Sequence, residues 1–196
     1  MKTIGITGGV GAGKSTVLSY LEEKYHAFVL QADLVGHKVM EPGERCYEPV
    51  VALFGKNVLK EDKTIDRRKV SDVVFSHEEL LQELEHIIHP AVKEYILEQL
   101  SEKEKKGQSL CVVEAALLLE ENYQAFCDQV WYIHTDKEIR MERLAMSRGY
   151  TREKAQSIID SQASEEYFRS HADYIIENNG DLKRTYKQII EGIERL

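Results

Sequence analysis

Lys2-Thr3-Ile4-Gly5-Ile6-Thr7 runs straight into Gly8-Gly9-Val10-Gly11-Ala12-Gly13-Lys14-Ser15-Thr16. The first six residues are β-prone and alternate. The next nine satisfy G-x-x-x-x-G-K-[ST], the phosphate-cradling turn between a strand and a helix. Such a turn exposes consecutive backbone N–H groups, and glycine lets them approach phosphate oxygens without side-chain obstruction. Gly8, Gly11 and Gly13 meet that need, and the expected phosphate-binding set is Gly9, Gly11, Ala12, Gly13, Lys14, Ser15 and Thr16. A helix beginning near Lys14 aims its positive dipole end at the anion, and the Lys14 ammonium reaches β- and γ-phosphates. Ser15 can place its hydroxyl on Mg²⁺. Glycine-rich turns also serve packing alone. At average composition, however, the four fixed positions would coincide in roughly one chain in a hundred, and the flanking strand and amphipathic helix are the context the motif requires.

Around this turn, 196 residues suffice for one α/β domain with a full core and a small insert. A hydrophobic content of 42 % and a charged content of 31 % are those of a soluble globular protein. No apolar run approaches the length of a membrane span, and KTIGIT is too short for a signal-peptide core, so export and membrane association are not expected. Cys46, Cys111 and Cys127 are odd in number and lack CxxC spacing, which reads as reduced thiols of a cytoplasmic protein without a zinc site. The net charge of -8 disfavours a nucleic-acid partner. A small polyanion met by a local cation cluster fits better.

In chain order, 15–25 forms a helix with Val17, Leu18 and Leu21 at helical spacing, and 27–32 (AFVLQA) a second strand with Asp33 at its carboxyl end. Ligands of doubly wound sheets gather at that edge. Asp33 there either orients an acceptor hydroxyl and takes its proton or caps a helix over 34–40. Asp33-Leu34-Val35-Gly36 spells DxxG, but no [NT]KxD guanine signature accompanies it, which argues against a GTPase. A helix is expected over 44–54, then a polar connection over 56–71, a helix from a capping box at Ser76 to Ile88, and another from His89-Pro90 to about Lys106. His89 either contacts a ligand or bonds a nearby carbonyl.

A third strand, 109–114, ends on Glu114, which either holds the magnesium shell or caps the following turn. The fourth is 129–134. Thr135-Asp136-Lys137-Glu138 matches a capping box for a helix carrying Arg140 and Arg143, with Arg148 and Arg152 after it. These arginines form either a solvated face paired with glutamates or a lid over transferring phosphates. Two polar helices over 151–170, a fifth strand over 173–177 and a final helix over 181–196 complete the chain, and Asn178-Asn179-Gly180 is either an ordinary turn or an adenine contact. The fold expected is α/β of the P-loop NTPase type: a five-stranded parallel sheet with helices on both faces, in one domain. Its core is about 1–40, 108–135 and 172–196, with an acceptor-binding helical insert at about 41–107 and a lid at about 136–170.

That plan, with IGITGGVGAGKSTV (4–17), Gln31-Ala32-Asp33, Ile87-Ile88-His89-Pro90, EAALLLE (114–120), Glu142-Arg143-Leu144 with Arg148-Gly149, Gln162, and Ala172-Asp173 to Asn179-Gly180, resembles the dephospho-coenzyme A kinases over nearly the whole length. The resemblance implies transfer of the ATP γ-phosphoryl group to the ribose 3′-hydroxyl of dephospho-coenzyme A, with ATP and Mg²⁺ as cofactors, in a cytoplasmic monomer or weak homo-oligomer. It implies Asp33, Lys14 and Arg143 as catalytic residues and Arg148 and Asn179 as nucleotide contacts beside the turn. Asp33, His89, Glu114 and Leu118 would be acceptor contacts. The chain departs from the family's usual Asp-x-Pro-Leu-Leu at 114–118, carries Arg140 where glutamine is common, and has Ser147 where an arginine is usual. The sheet and turn alone leave open a kinase for another nucleotide or nucleoside, or a non-catalytic ATP-binding regulatory module.

Overall fold

Alternation along Lys2–Thr7 produces β1, whose even residues Ile4 and Ile6 are fully buried. In the computed structural model, which describes residues 1–196, β1 is the centre of a five-stranded sheet. The other strands are β2 (Phe28–Gln31), β3 (Leu110–Glu114), β4 (Gln129–His134) and β5 (Tyr174–Glu177), in the spatial order β2-β3-β1-β4-β5. The pairs β1–β3, β1–β4 and β4–β5 are parallel.

Register assigns the faces. Ile4 sits opposite Val112, Ile6 opposite Glu114 and Trp131, and Ile133 opposite Ile176. This face packs on Val17, Leu18 and Leu21 of α1 (Lys14–Tyr25) and Ile189 of α9 (Leu182–Ile193), and Tyr20 stacks on Tyr186 between those helices. The opposite face carries Gly5, against Leu118 and Cys127 from the 115–128 connection, and Tyr132, stacked on Phe168 of a late helix described below. Helices on both faces follow, as the β-α alternation predicts.

Two units are distinguishable, residues 1–30 with 104–196, and residues 31–103. The second holds α2 (Ala32–Lys38), α3 (Tyr47–Phe54), α4 (Arg67–Val74) and nearly all of α5 (Glu78–Lys105). It begins earlier than the insert expected at 41–107. Gly36 faces Ile88 and Val92 of α5, Lys38 lies over the Tyr95 ring, and Cys46 Sγ donates to the Ile87 carbonyl, so α2 packs with this unit.

Four local expectations are corrected. Residues 78–105 form one helix of 28 residues with Pro90 inside it, not two. An interior proline costs roughly 3 kcal/mol, and burial of Ala91, Val92, Ile96 and Leu100 along one side offsets it. The polar stretch 56–71 is not a bare connection, because it contains the start of α4, where the Asp66 carboxylate accepts from the Arg68 and Lys69 amides. Asp33 does not cap α2; Gln31 occupies that position and Asp33 stands exposed in the first turn. Thr135 does not cap α6 (Lys137–Arg148) either, because Asp136 takes the cap position and the buried Thr135 hydroxyl turns inward. Beyond α6 come α7 (Arg152–Asp160) and α8 (Glu165–His171), the two polar helices expected there. No helix is long and apolar enough to cross a membrane.

Candidate active site

The glycine turn sits where β1 hands over to α1. Gly13 is the residue before the helix, with φ 83°, and a Cβ there would overlap the Asn178 carboxamide. Glycine is therefore required twice at that point, for its left-handed backbone and for its missing side chain. The first amides of α1, those of Lys14 and Ser15, have no intrahelical acceptor and lie at the positive end of the helix. Lys14 Nζ donates to the Gly8 carbonyl at 2.7 Å and lies 3.5 Å from Glu114 Oε1. The ammonium is thus folded back over the turn and balanced by a buried carboxylate.

A turn that directs its N–H groups inward directs its carbonyls outward, and these need donors. The Ala12 carbonyl accepts from Asn178 Nδ2 at 2.8 Å, Thr135 Oγ1 at 2.9 Å and Arg143 Nη1 at 3.3 Å. Arg143 also reaches the Gly11 carbonyl at 3.4 Å and the Asn178 carbonyl at 2.8 Å. Arg140 Nε donates to the Val10 carbonyl at 2.8 Å, and Gln162 Oε1 accepts from the Val10 amide at 3.0 Å. Asn178 is 2 % exposed, and its Oδ1 accepts from Thr185 Oγ1 of α9 at 3.0 Å. Burial lowers the pKa of the Arg140 guanidinium from its ordinary value, and the nearby Tyr132 partly opposes that.

Of the residues singled out from sequence, the structure brings Gly9 to Thr16, Lys14, Glu114 and Arg143 together. Arg148 ends α6 exposed, its guanidinium over the Tyr150 ring. Asn179 is exposed, and its Oδ1 accepts from the Asp136 amide at 2.9 Å. Leu118 is fully buried under β1, whereas its neighbour Leu117 is 45 % exposed. His89 is half-buried within α5, in the second unit with Asp33. Sequence reasoning did not foresee the bracing of the turn by Asn178, weighed within Asn178-Asn179-Gly180 as an ordinary turn or an adenine contact, or by Thr135, read as a cap. The signal for Asn178 was its place directly after an apolar strand, since β2 and β4 are followed closely by Asp33 and Thr135 and β3 ends on Glu114.

Further out, His134 Nδ1 lies 2.5 Å from Glu177 Oε2, and Arg169 of α8 bonds both Glu165 at 2.6 Å and Glu177 at 3.0 Å. Burial pushes the Glu177 carboxyl up, but the hydrogen bonds from His134 and Arg169 outweigh it and hold the group below the usual range. The Arg169 hydrogen bond likewise holds Glu165 low. Burial pushes the Cys127 thiol up to about 12, with Asp128 adding to it. A group so raised stays protonated and unreactive.

The dephospho-CoA kinase family profile matches residues 2–184. A dephospho-CoA kinase of Aquifex aeolicus is 39 % identical over 199 residues, covering 100 % of this chain and 98 % of its own. One from Shouchella clausii is 35 % identical over 192 residues, covering 98 % and 97 %. The solved dephospho-CoA kinase of Campylobacter jejuni superposes with a TM-score of 0.74 at 28 % identity, over 100 % of this chain and 97 % of that one.

Proposed function

This chain belongs to the dephospho-CoA kinase family, and from that premise we propose how its residues carry out the transfer. It phosphorylates dephospho-CoA with ATP as donor, in coenzyme A biosynthesis. The acceptor atom in our reading is the 3′-hydroxyl of the ribose. The choice of the 3′-hydroxyl rests on the family resemblance; the observation that carries the phosphoryl transfer is the Lys14 ammonium held between the Gly8 carbonyl and Glu114 in the turn. That geometry keeps a cation poised for the β- and γ-phosphates with little reorganisation.

In this reading the turn amides and α1 hold the triphosphate. Asp33, two residues beyond β2, orients the acceptor hydroxyl and accepts its proton, and Arg143 neutralises charge at the transferring group. Arg148 and Asn179 contact the nucleotide, and His89 and Glu114 contact the acceptor; Leu118, fully buried against Gly5 of β1, packs beneath the sheet and is not an acceptor contact. The residues present suit Mg²⁺, a hard cation that prefers oxygen ligands and retains waters. Ser15 is exposed in the first turn of α1, and the Glu114 carboxylate lies beside Lys14. Bound there, the ion supplies charge neutralisation at the phosphates. We assign residues about 41–107 to acceptor binding and about 136–170 to a lid. The protein works as a cytoplasmic monomer or weak homo-oligomer, with neither nucleic acid nor membrane as partner. The net charge of -8 supports that exclusion of nucleic acid.

The test is ADP formation against dephospho-CoA, nucleoside monophosphates and nucleosides, with NMR of the product to locate the new phosphate. Lys14→Ala abolishes turnover on this account. Asp33→Asn lowers kcat by roughly 10²–10⁴ while leaving ATP binding nearly intact. Full activity in Asp33→Asn removes it as the base, and ATP binding without acceptor-dependent turnover removes the assigned transfer.

A further inference from the structure

We propose that Gln162 is a positioning residue for ATP: with Arg140 it clips both backbone groups of Val10 and so ties the loop between α7 and α8 to the phosphate-binding turn. The inference rests on the reading that this turn holds the ATP phosphates. Gln162 Oε1 accepts from the Val10 amide at 3.0 Å and from Arg140 Nη2 at 2.6 Å, and Arg140 Nε donates to the Val10 carbonyl at 2.8 Å. The three bonds close on one another, so neither side chain can leave without breaking the other's contact. Two further observations show that the surrounding structure is built around the clip. The Val10 side chain packs against Met141, Leu144, Ala155 and Ile159 of α6 and α7. A Cβ at Gly9 would overlap the Arg140 guanidinium, so a side chain there would have to displace that arm of the clip.

Val10 stands between Gly9 and Gly11, so the tip of the turn has little intrinsic stiffness, and ordering it for phosphate costs conformational entropy. The clip removes much of that cost before ATP arrives. Linkage makes the effect reciprocal: whatever orders the turn also orders the α7–α8 loop, to the same extent. Arg140 stands where the family commonly has glutamine, so this arm of the clip is a property of this chain.

The test is Gln162→Leu, which keeps the bulk and removes the acceptor. KM for ATP is expected to rise roughly three- to tenfold, the size of one net hydrogen bond, with KM for dephospho-CoA unchanged and kcat within about twofold. The protection that ADP confers on the α7–α8 loop amides in hydrogen exchange is expected to fall with it. Arg140→Gln should give the same pattern. The double variant should be no worse than the poorer single one, because both break one device. An unchanged KM for ATP, an equal rise in both KM values, or additive losses in the double variant overturns the clip. Should the leucine variant not fold, Arg140→Gln with the exchange measurement decides alone. Failure of the wild type to bind ATP sinks the reading of the turn itself; normal ATP binding that is insensitive to Gln162 sinks only the clip.

Discussion

Replacing Asn178 tests the idea that the phosphate-binding turn is shaped from behind. Asn178→Ala removes Nδ2–H···O=C to Ala12 at 2.8 Å and Thr185 O–H···Oδ1 at 3.0 Å. Neither partner is orphaned. Ala12 keeps Thr135 and Arg143 as donors, and the Thr185 hydroxyl can still donate to the Asp181 carbonyl at 3.2 Å. The loss is therefore two net hydrogen bonds, about 2 kcal/mol, or a Tm fall of roughly 4–8 °C for a protein of this size. Asn178→Asp has the same shape but faces the Ala12 carbonyl with an oxygen, in a site 2 % exposed. Burial and that oxygen favour the protonated carboxyl, so its folded-state pKa rises above the unfolded value of about 3.9. Stability from the protonated form is present below that value and lost as pH rises through the folded one. The aspartate variant should thus melt near the alanine variant at pH 5 and well below it at pH 8, with KM for ATP raised in both. Calorimetry at the two pH values checks this. An aspartate variant as stable at pH 8 as the alanine variant, or an unchanged KM for ATP in both, refutes the reasoning.

Gly192→Ala opposes two effects of known size: alanine gains about 1 kcal/mol of helix propensity over glycine, but its Cβ would stand 2.7 Å from Trp131 Cζ2 and 2.8 Å from Tyr174 Cε1. Trp131 is fully buried and cannot yield, so overpacking of about 1–3 kcal/mol prevails, and thermal melts should show a lower Tm with kcat and both KM values unchanged. Glu177→Gln should flatten the acid limb of the stability curve. Because Glu177 and Glu165 are held low, their stabilisation is present above the unfolded value of about 4.3 and lost as pH falls; parallel Tm profiles of variant and wild type from pH 7 to 3.5 would refute that.

The strands and the turn were legible because their signals are local. KTIGIT alternates, the glycine motif has a fixed spacing, and LCVVE and QVWYIH are short, apolar and rich in β-branched and aromatic residues, as buried strands are. What misled was punctuation whose meaning depends on tertiary context. Pro90 reads as a helix start, yet the buried stripe Ala91, Val92, Ile96 and Leu100 continues a helix already under way. Thr135 reads as a cap by its spacing to Glu138, yet its hydroxyl has a better use on the Ala12 carbonyl, 123 residues away in sequence. The side chains behind the turn, donors at 135, 140, 143 and 178 and an acceptor at 162, are dispersed along the chain, and no spacing rule could have gathered them. The short α4, with Val70 as its buried residue, offers too little periodicity to detect.

The arginines of α6 have a use that composition alone does not show. Read from sequence, a cluster of guanidinium groups near a phosphate site suggests fingers closing over the ligand. In the folded chain Arg140 and Arg143 serve the outward carbonyls, a demand that the inward N–H groups create. Their bonds differ in a way that separates the two. Arg140 is held by short contacts of 2.8 and 2.6 Å. Arg143 has one good bond of 2.8 Å, to the Asn178 carbonyl, and its remaining contacts, at 3.3 to 3.4 Å, are long and weak. Moving Arg143 onto a phosphate oxygen would trade that set for bonds between opposite charges, with the bidentate geometry a guanidinium offers a phosphate, and Ala12 would keep Asn178 and Thr135. Moving Arg140 would open the Val10 clip and bare a half-buried guanidinium's partners. The same helix can therefore supply a fixed brace at 140 and an exchangeable cation at 143, and that difference supports the proposed role of Arg143 at the transferring group.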